Sequence, residues 1–220
     1  MPERRGDRWE RCPEAGRDGT GVVGVGWNGL WVVGALPDGE VRALRERYGD
    51  APWDRGAADY RAELAGWSGP ATDRAAAQGL ADLMLGHVEL PEAEEAEEAC
   101  LDLLKATPPA GVFVSSARKT HPAAALCHAL GPAATARLPG RFGSFLRTAA
   151  ELRTELPGAQ GVLEVDGARR AAVTALVDRW LDDFGDGSLD PADELLDGPL
   201  RVLRFAAATG CGAVGLWRTY

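Results

Sequence analysis

The chain has 220 residues, 45% of them hydrophobic and 26% charged, a balance that is typical of a globular protein and argues against a disordered chain. A formal net charge of −9 argues against nucleic acid or an anionic membrane as the main partner. No apolar run is long enough for a transmembrane helix, and the first twenty residues lack the apolar stretch of a secretory signal. We therefore expect a cytoplasmic protein that does not bind membranes.

The composition also indicates the source of the chain and the state of its thiols. Isoleucine is absent and only two lysines accompany twenty-two arginines, a bias typical of a GC-rich bacterial genome. The four cysteines form no C-x-x-C pair, and the spacing of the three histidines does not suggest a zinc site. We expect free thiols, no metal and no cofactor.

The hydrophobic pattern predicts one domain preceded by an arm. Residues 1–20 have high mixed charge and no hydrophobic period, which predicts a mobile N-terminal arm. Residues 21–220 contain no internal repeat and no long linker, so we predict a single α+β domain. Within it, the helical stretch 38–106 is a candidate subdomain.

The first structural element is predicted to be a β-hairpin. Residues 22–36 are rich in β-branched and aromatic side chains and carry Asn28 and Gly29 at their centre. This dipeptide favours the type I′ turn of a two-residue hairpin, which would place Trp27 opposite Leu30.

The rest of the chain is predicted to be helical at first and then mixed. Apolar spacings of three and four residues, bounded by proline and glycine, predict helices over 38–48, 57–67, 72–86 and 91–106. Beyond them we predict strands at 111–115, 161–165 and 213–217, with helices at 122–130, 144–156, 173–184 and, as two short pieces, 190–209. The predicted fold class is α+β (mixed α/β), with an N-terminal β-hairpin, a central helical stretch, and C-terminal alternating strands and helices around one small sheet.

Two motifs match functional patterns without the required context. Gly24, Gly26 and Gly29 fit G-x-G-x-x-G, but a strand-like segment follows where a dinucleotide-binding fold needs a helix. The glutamates between 92 and 98 lie on the outer face of their predicted helix, and no Glu-x-x-His accompanies them. A solvated face is therefore favoured over a di-metal site.

One segment has the residues and the position of a ligand site. It lies between the end of a predicted strand and the start of a predicted helix, where helix N–H groups favour a phosphate or a carboxylate. It is also the most basic run outside the N-terminal arm. The candidate binding residues are Ser115, Ser116, Arg118, Lys119, Thr120 and His121. The alternative is a capped loop whose cations pair with surface acids.

A second candidate site is aromatic. Trp27 and Trp31 lie near the predicted hairpin tip, where they would line a pocket or a partner surface. Seven tryptophans are many for this length, but tryptophan also fills protein cores, so the core role stays open for both residues.

Two functions from different classes remain, and the sequence has no complete catalytic set that would decide whether the protein is an enzyme. The first is a bacterial binding or accessory protein, of an immunity- or antitoxin-like kind, whose acidic surface meets a basic partner protein. The second is a small-molecule enzyme or ligand-binding domain that holds a small anionic ligand at 115–121. A pocket walled by Arg118, Lys119 or His121 would favour the second, and an exposed apolar patch rimmed by carboxylates would favour the first.

Overall fold

The computed structural model describes residues 29–50, 53, 62, 64, 74–85, 91–186 and 191–219. These residues form four strands and eight α-helices, so the predicted α+β class is confirmed. The strands are β1 (Gly29–Leu36), β2 (Val112–Ala117), β3 (Phe145–Arg147) and β4 (Gly212–Thr219). The helices are α1 (Asp38–Tyr48), α2 (Arg74–Leu85), α3 (Pro91–Leu104), α4 (Pro122–Leu130), α5 (Pro132–Thr135), α6 (Ala149–Leu163), α7 (Gly167–Asp183) and α8 (Ala192–Thr209). Over the described ranges, no helix combines the length and apolar character needed to cross a bilayer.

The sheet is antiparallel throughout and has the order β2-β1-β4-β3. β1 lies inside it, with Leu30 opposite Ser116 of β2 on one side and opposite Arg218 of β4 on the other. This corrects the hairpin prediction. Residues 22–27 lie outside the described part of the chain, but both edges of β1 are filled by distant segments, which replace Trp27 as the partners of Leu30. Both faces of β1 are apolar, and a position inside the sheet, between two helical layers, buries both of them.

Most of the predicted elements are found close to their expected places. The helices predicted at 38–48, 91–106 and 122–130 correspond to α1, α3 and α4, and the strand predicted at 213–217 lies within β4. Of the helix predicted over 57–67, the structure describes two residues, and both are helical.

The region around Thr148 differs from the prediction. Phe145–Arg147 form the edge strand β3 rather than the first turn of a helix. Helix α6 begins after Thr148, whose hydroxyl accepts from the N–H of Glu151 (3.3 Å) while the Glu151 carboxylate accepts from the N–H of Thr148 (2.8 Å). This capping box fixes the helix start. The helix then continues through Pro157, and the strand predicted at 161–165 falls largely in its last turn.

Burial explains why two helices continue through proline. In α6, Ala159, Val162 and Leu163 lie beyond Pro157 and are wholly buried. In α8, we predicted two short helices, but one helix runs through Pro199 and buries the residues on both sides of it. Tertiary packing of an apolar face outweighs the local cost of a proline in both cases.

The sheet separates two apolar layers. The apolar cluster on its inner side contains residues of α2, α4, α6, α7 and α8, and the cluster on its outer side contains residues of α1 and α3. Buried inner-face residues include Trp31, Val33, Phe113, Phe145 and Ala213. Buried outer-face residues include Val32, Leu36, Leu146, Val214 and Leu216. The helices of the predicted subdomain 38–106 are thus divided between the two faces.

Aromatic rings cover two glycines on the inner face. The Trp217 ring lies over Gly29 and the Phe145 ring lies over Gly215, so a Cβ atom at either glycine would collide with the ring. The missing side chains let these rings lie flat against the sheet. This arrangement directs Trp217 towards the start of α4, where it meets His121.

Candidate functional site

The predicted ligand segment 115–121 divides into buried and exposed residues. Ser115 is buried on the inner face opposite Trp31, and the next residue, Ser116, lies on the outer face because successive strand residues alternate. Arg118 and Lys119 are exposed in the loop that follows. The six predicted binding residues therefore do not converge on one surface.

The loop amides already hold a carboxylate of the protein itself. The N–H groups of Arg118 and Lys119 donate to Oδ1 and Oδ2 of Asp186, at 2.8 and 3.0 Å. The indole N–H of Trp180 donates to the hydroxyl of Thr120 at 2.7 Å. Two backbone N–H groups of the predicted segment thus bind a carboxylate of the protein itself. The sheet is antiparallel, so the ligand rule for parallel sheets does not apply either. The anion site stays a prediction.

His121 lies in the inner core as a flat neutral ring. It is 2% exposed and stacks on Trp217, with ring centroids 3.9 Å apart and an angle of 18° between the planes. Neither ring nitrogen has a hydrogen-bond partner among the described residues, and burial lowers the pKa of His121 to about 3. A Cβ atom at Gly143 would lie 3.3 Å from Nε2, so this glycine leaves room for the ring.

Trp31, the described member of the predicted aromatic site, lies in the centre of the inner core. It is wholly buried, its indole N–H donates to the carbonyl of Phe142 at 3.2 Å, and its ring meets Phe113 edge-on at 5.1 Å. These contacts are those of the core role that the sequence left open. Trp27 lies outside the described residues.

A pocket of about 400 Å³ lies between α3 and the outer face of the sheet. Its apolar wall consists of Leu30, Val32, Leu101, Leu104 and Val112. Its charged rim consists of Glu98, Asp102, Lys105 and Arg218. The lining thus comes from β1, β2, β4 and one helix, and none of the residues that we predicted as binding residues belongs to it.

Helix α3 forms the pocket because it presents two stripes to the sheet. Ala96, Cys100 and Leu104 recur at helical spacing and pack on the outer face, where the Leu104 side chain fills the space above Gly34. A second stripe, displaced around the helix, includes Leu101 and the charged rim residues of α3. This second stripe overhangs the sheet and leaves the cavity beneath it.

Two ion pairs close the rim of the pocket. Nη2 of Arg218 lies 3.0 Å from Oε1 of Glu98, and Nζ of Lys105 lies 2.7 Å from Oδ1 of Asp102. Both pairs are largely solvated, so their contribution to stability is small. The apolar floor of the pocket stays accessible between these two ion pairs.

Next to the pocket, α3 carries a half-buried acid. Burial, with a smaller contribution from Glu94, raises the pKa of Glu97 to about 7, although the nearby Arg218 guanidinium acts in the opposite direction. Glu97 precedes Leu101 by one helical turn, so both lie on the same flank of α3. Burial also raises the pKa of the Cys100 thiol to about 12, which makes that thiol unreactive at neutral pH.

The helix as a whole is strongly acidic. It contains six carboxylates, from Glu92, Glu94, Glu95, Glu97, Glu98 and Asp102, and no basic residue. Among the described residues, the cations that pair with this helix are Arg47, Lys105 and Arg218. The pocket therefore opens on a surface with a surplus of negative charge.

The sequence analysis missed this pocket because its lining comes from segments far apart in the chain. We predicted the glutamates of α3 to form a solvated face, and Leu101 was not part of the predicted apolar stripe. A leucine outside the stripe of its helix was the signal that could have indicated a second contact surface.

Neither a metal-ligand cluster nor a comparison with known proteins identifies the ligand of this site. Among the described residues, no group of three histidine, cysteine, aspartate or glutamate side chains is close enough to hold a metal ion. No family model, no curated protein and no solved structure matches the chain.

Proposed function

We propose that the protein is a cytoplasmic bacterial binding protein that holds a basic segment of a partner protein by inserting one of its apolar side chains into the α3 pocket. An immunity- or antitoxin-like role is one form of this function. The observation that carries the proposal is an apolar pocket that lies beneath an acidic helix.

The size and lining of the pocket support binding rather than chemistry. A volume of about 400 Å³ is within the range of sites that bury a ligand, and its walls are mainly leucine and valine. Of the described residues that line it, none is a serine, cysteine or histidine. The usual nucleophile and base pairs are therefore missing from its wall.

The charge of α3 supports a basic partner. Six carboxylates on one helix attract Lys- or Arg-rich segments, and they would repel an acidic one. Because the rim is solvated, this attraction acts mainly on the association rate and weakens in salt.

A second candidate is a small amphipathic anion. Lys105 and Arg218 lie at the pocket wall and would pair with a carboxylate, while the apolar floor would take a hydrocarbon group. In this case both cations would have to leave their present partners, Asp102 and Glu98.

The test is a selection of random linear peptides, displayed on phage, against the purified full chain. We expect the enriched peptides to be richer in arginine and lysine than the library and to contain a large apolar residue. Their binding should weaken at high salt.

A pair of matched variants shows whether binding uses the pocket. Leu101→Trp fills the pocket without changing the charge, whereas Leu103→Trp makes the same change on the same helix at a residue that does not line it. We expect only the first to abolish peptide binding, with Leu30→Gln as a second pocket variant if Leu101→Trp unfolds. Acidic enriched peptides, or equal binding to both tryptophan variants, would refute the proposal.

A further inference from the structure

The edge strand β2 offers hydrogen-bonding groups that the described part of the chain does not use. Its six residues, VFVSSA, include no charged residue and no proline, and among the described strands it pairs with β1 alone. Every second residue of an edge strand directs its N–H and C=O groups away from the sheet. Within the described ranges, no other strand and no side chain forms a hydrogen bond with these outward groups of β2.

The opposite edge shows how this chain protects a strand. β3 has only three residues, and all of them are buried. The guanidinium of Arg45 donates from Nη2 to the carbonyl of Leu146 at 2.9 Å, and also pairs with Glu151. Short length, burial of every residue and a side-chain donor are ordinary means of blocking an edge. β2 is twice as long as β3, only alternate residues of it are buried, and no described side chain donates to its outward carbonyls.

The open edge lies directly beside the pocket. Val112 belongs to the pocket wall, and Val114 and Ser116 follow it on the same outer face of β2. A strand added to this edge would lie about 4.8 Å from β2 and would direct alternate side chains to that same face. Those side chains would lie at the mouth of the pocket and within reach of the acidic helix.

We propose that the partner segment binds as an extended strand along the outer edge of β2, with apolar and basic side chains alternating towards the α3 pocket. This inference rests on the proposed function and adds the way in which the partner is bound. Main-chain hydrogen bonds would supply affinity, and the pocket would select the side chain at one position.

Charge favours a basic partner over a second copy of this chain. Two copies joined through β2 would bring two α3 helices, each with six carboxylates, to one continuous sheet. Their mutual repulsion opposes such a dimer, whereas a basic strand is attracted by the same charges.

The decisive measurement is amide hydrogen exchange of the full chain with and without a saturating peptide from the selection above. We expect alternate amides of β2 to exchange at least about tenfold more slowly in the complex, while the amides of β3 remain unchanged as an internal control. N-methylation of the peptide at alternate positions should abolish binding for one set of amides and leave it nearly unchanged for the other.

The possible failures can be told apart. If no peptide is selected, the proposed function and this inference both fall. If a selected peptide requires Leu101 but leaves the β2 amides unprotected, only the strand-addition mode is wrong. The free chain is expected to sediment as a monomer, and a dimer with protected β2 amides would assign this edge to a second copy and overturn the proposal.

Discussion

The two faces of the sheet are built differently. On the inner side, five of the described helices contribute to one apolar cluster, and aromatic rings lie directly over two glycines of the sheet. On the outer side, two of the described helices contribute to the apolar layer, and one of them overhangs the sheet above a pocket of about 400 Å³. We therefore expect the inner layer to contribute most to stability and the outer layer to provide the binding surface.

The largest expected effect is a difference between the two layers in the free energy of unfolding that a truncated side chain costs. Trp31→Ala removes a wholly buried ring from the inner core and should lower the free energy of unfolding by about 3–5 kcal/mol. Leu101→Ala, at the half-buried pocket wall, should lower it by less than about 1 kcal/mol. Urea unfolding of both variants measures the contrast. Similar losses would show that the outer layer is as tightly coupled as the inner one.

Acid should destabilise the inner layer through His121. Its pKa is about 3 in the folded protein and 6.5 when unfolded, so the unfolded chain binds the extra proton between these values. Stability is therefore lost as the pH falls from 6.5 towards 3. Between pH 7 and 5 the expected loss is about 2 kcal/mol. His121→Phe keeps the stacking on Trp217, and its unfolding should lack this component. If His121→Phe and the original chain show the same dependence of unfolding on pH, His121 is not buried as a neutral ring.

Base should destabilise the outer layer through Glu97, with a smaller effect. Its pKa is about 7 in the folded protein and 4.5 when unfolded, so the unfolded chain loses its proton first. Stability is present below pH 4.5 and is lost as the pH rises through 7. Because the side chain is only half-buried, the expected loss is about 1 kcal/mol. Glu97→Gln should remove this loss of stability, as measured by thermal unfolding at pH 5 and 8. Equal pH dependence in the variant and the original chain would contradict the prediction.

The smallest effect is expected at the rim. Lys105 is fully exposed, and its pair with Asp102 at 2.7 Å is screened by solvent. Lys105→Ala should leave the unfolding midpoint unchanged, but it should strengthen the binding of a basic peptide because one positive charge is removed. Fluorescence anisotropy with a labelled selected peptide tests this prediction, and weaker binding would favour the small-anion alternative.

The sequence predicted those elements whose signals are local. α1, α3 and α4 could be predicted from proline at or next to the helix start and from apolar spacing, and α7 from the stripe that includes Val173, Val177 and Trp180. The predictions that helices break at Pro157 and Pro199 were wrong, because long-range burial outweighs the local preference of proline.

The candidate sites depend on long-range geometry, which a single sequence does not contain. We assigned an external anion to the helix N–H groups, cations and hydroxyls of this segment, whereas the loop N–H groups of Arg118 and Lys119 bind the carboxylate of Asp186, which lies almost seventy residues away. The pocket brings Leu30 and Arg218 from opposite ends of the sequence to one helix. Local patterns indicate what a side chain can do, whereas the fold decides which side chains meet.

The central position of β4 has a consequence for how the protein is made. Gly29 pairs with Thr219, so β1 leaves the ribosome long before the strand that lies beside it is synthesised. Helices such as α6 and α7 can form early, but the sheet closes only when β4 arrives between β1 and β3. Such long sequence separations slow folding, and they expose an apolar nascent strand to aggregation until β4 has been synthesised.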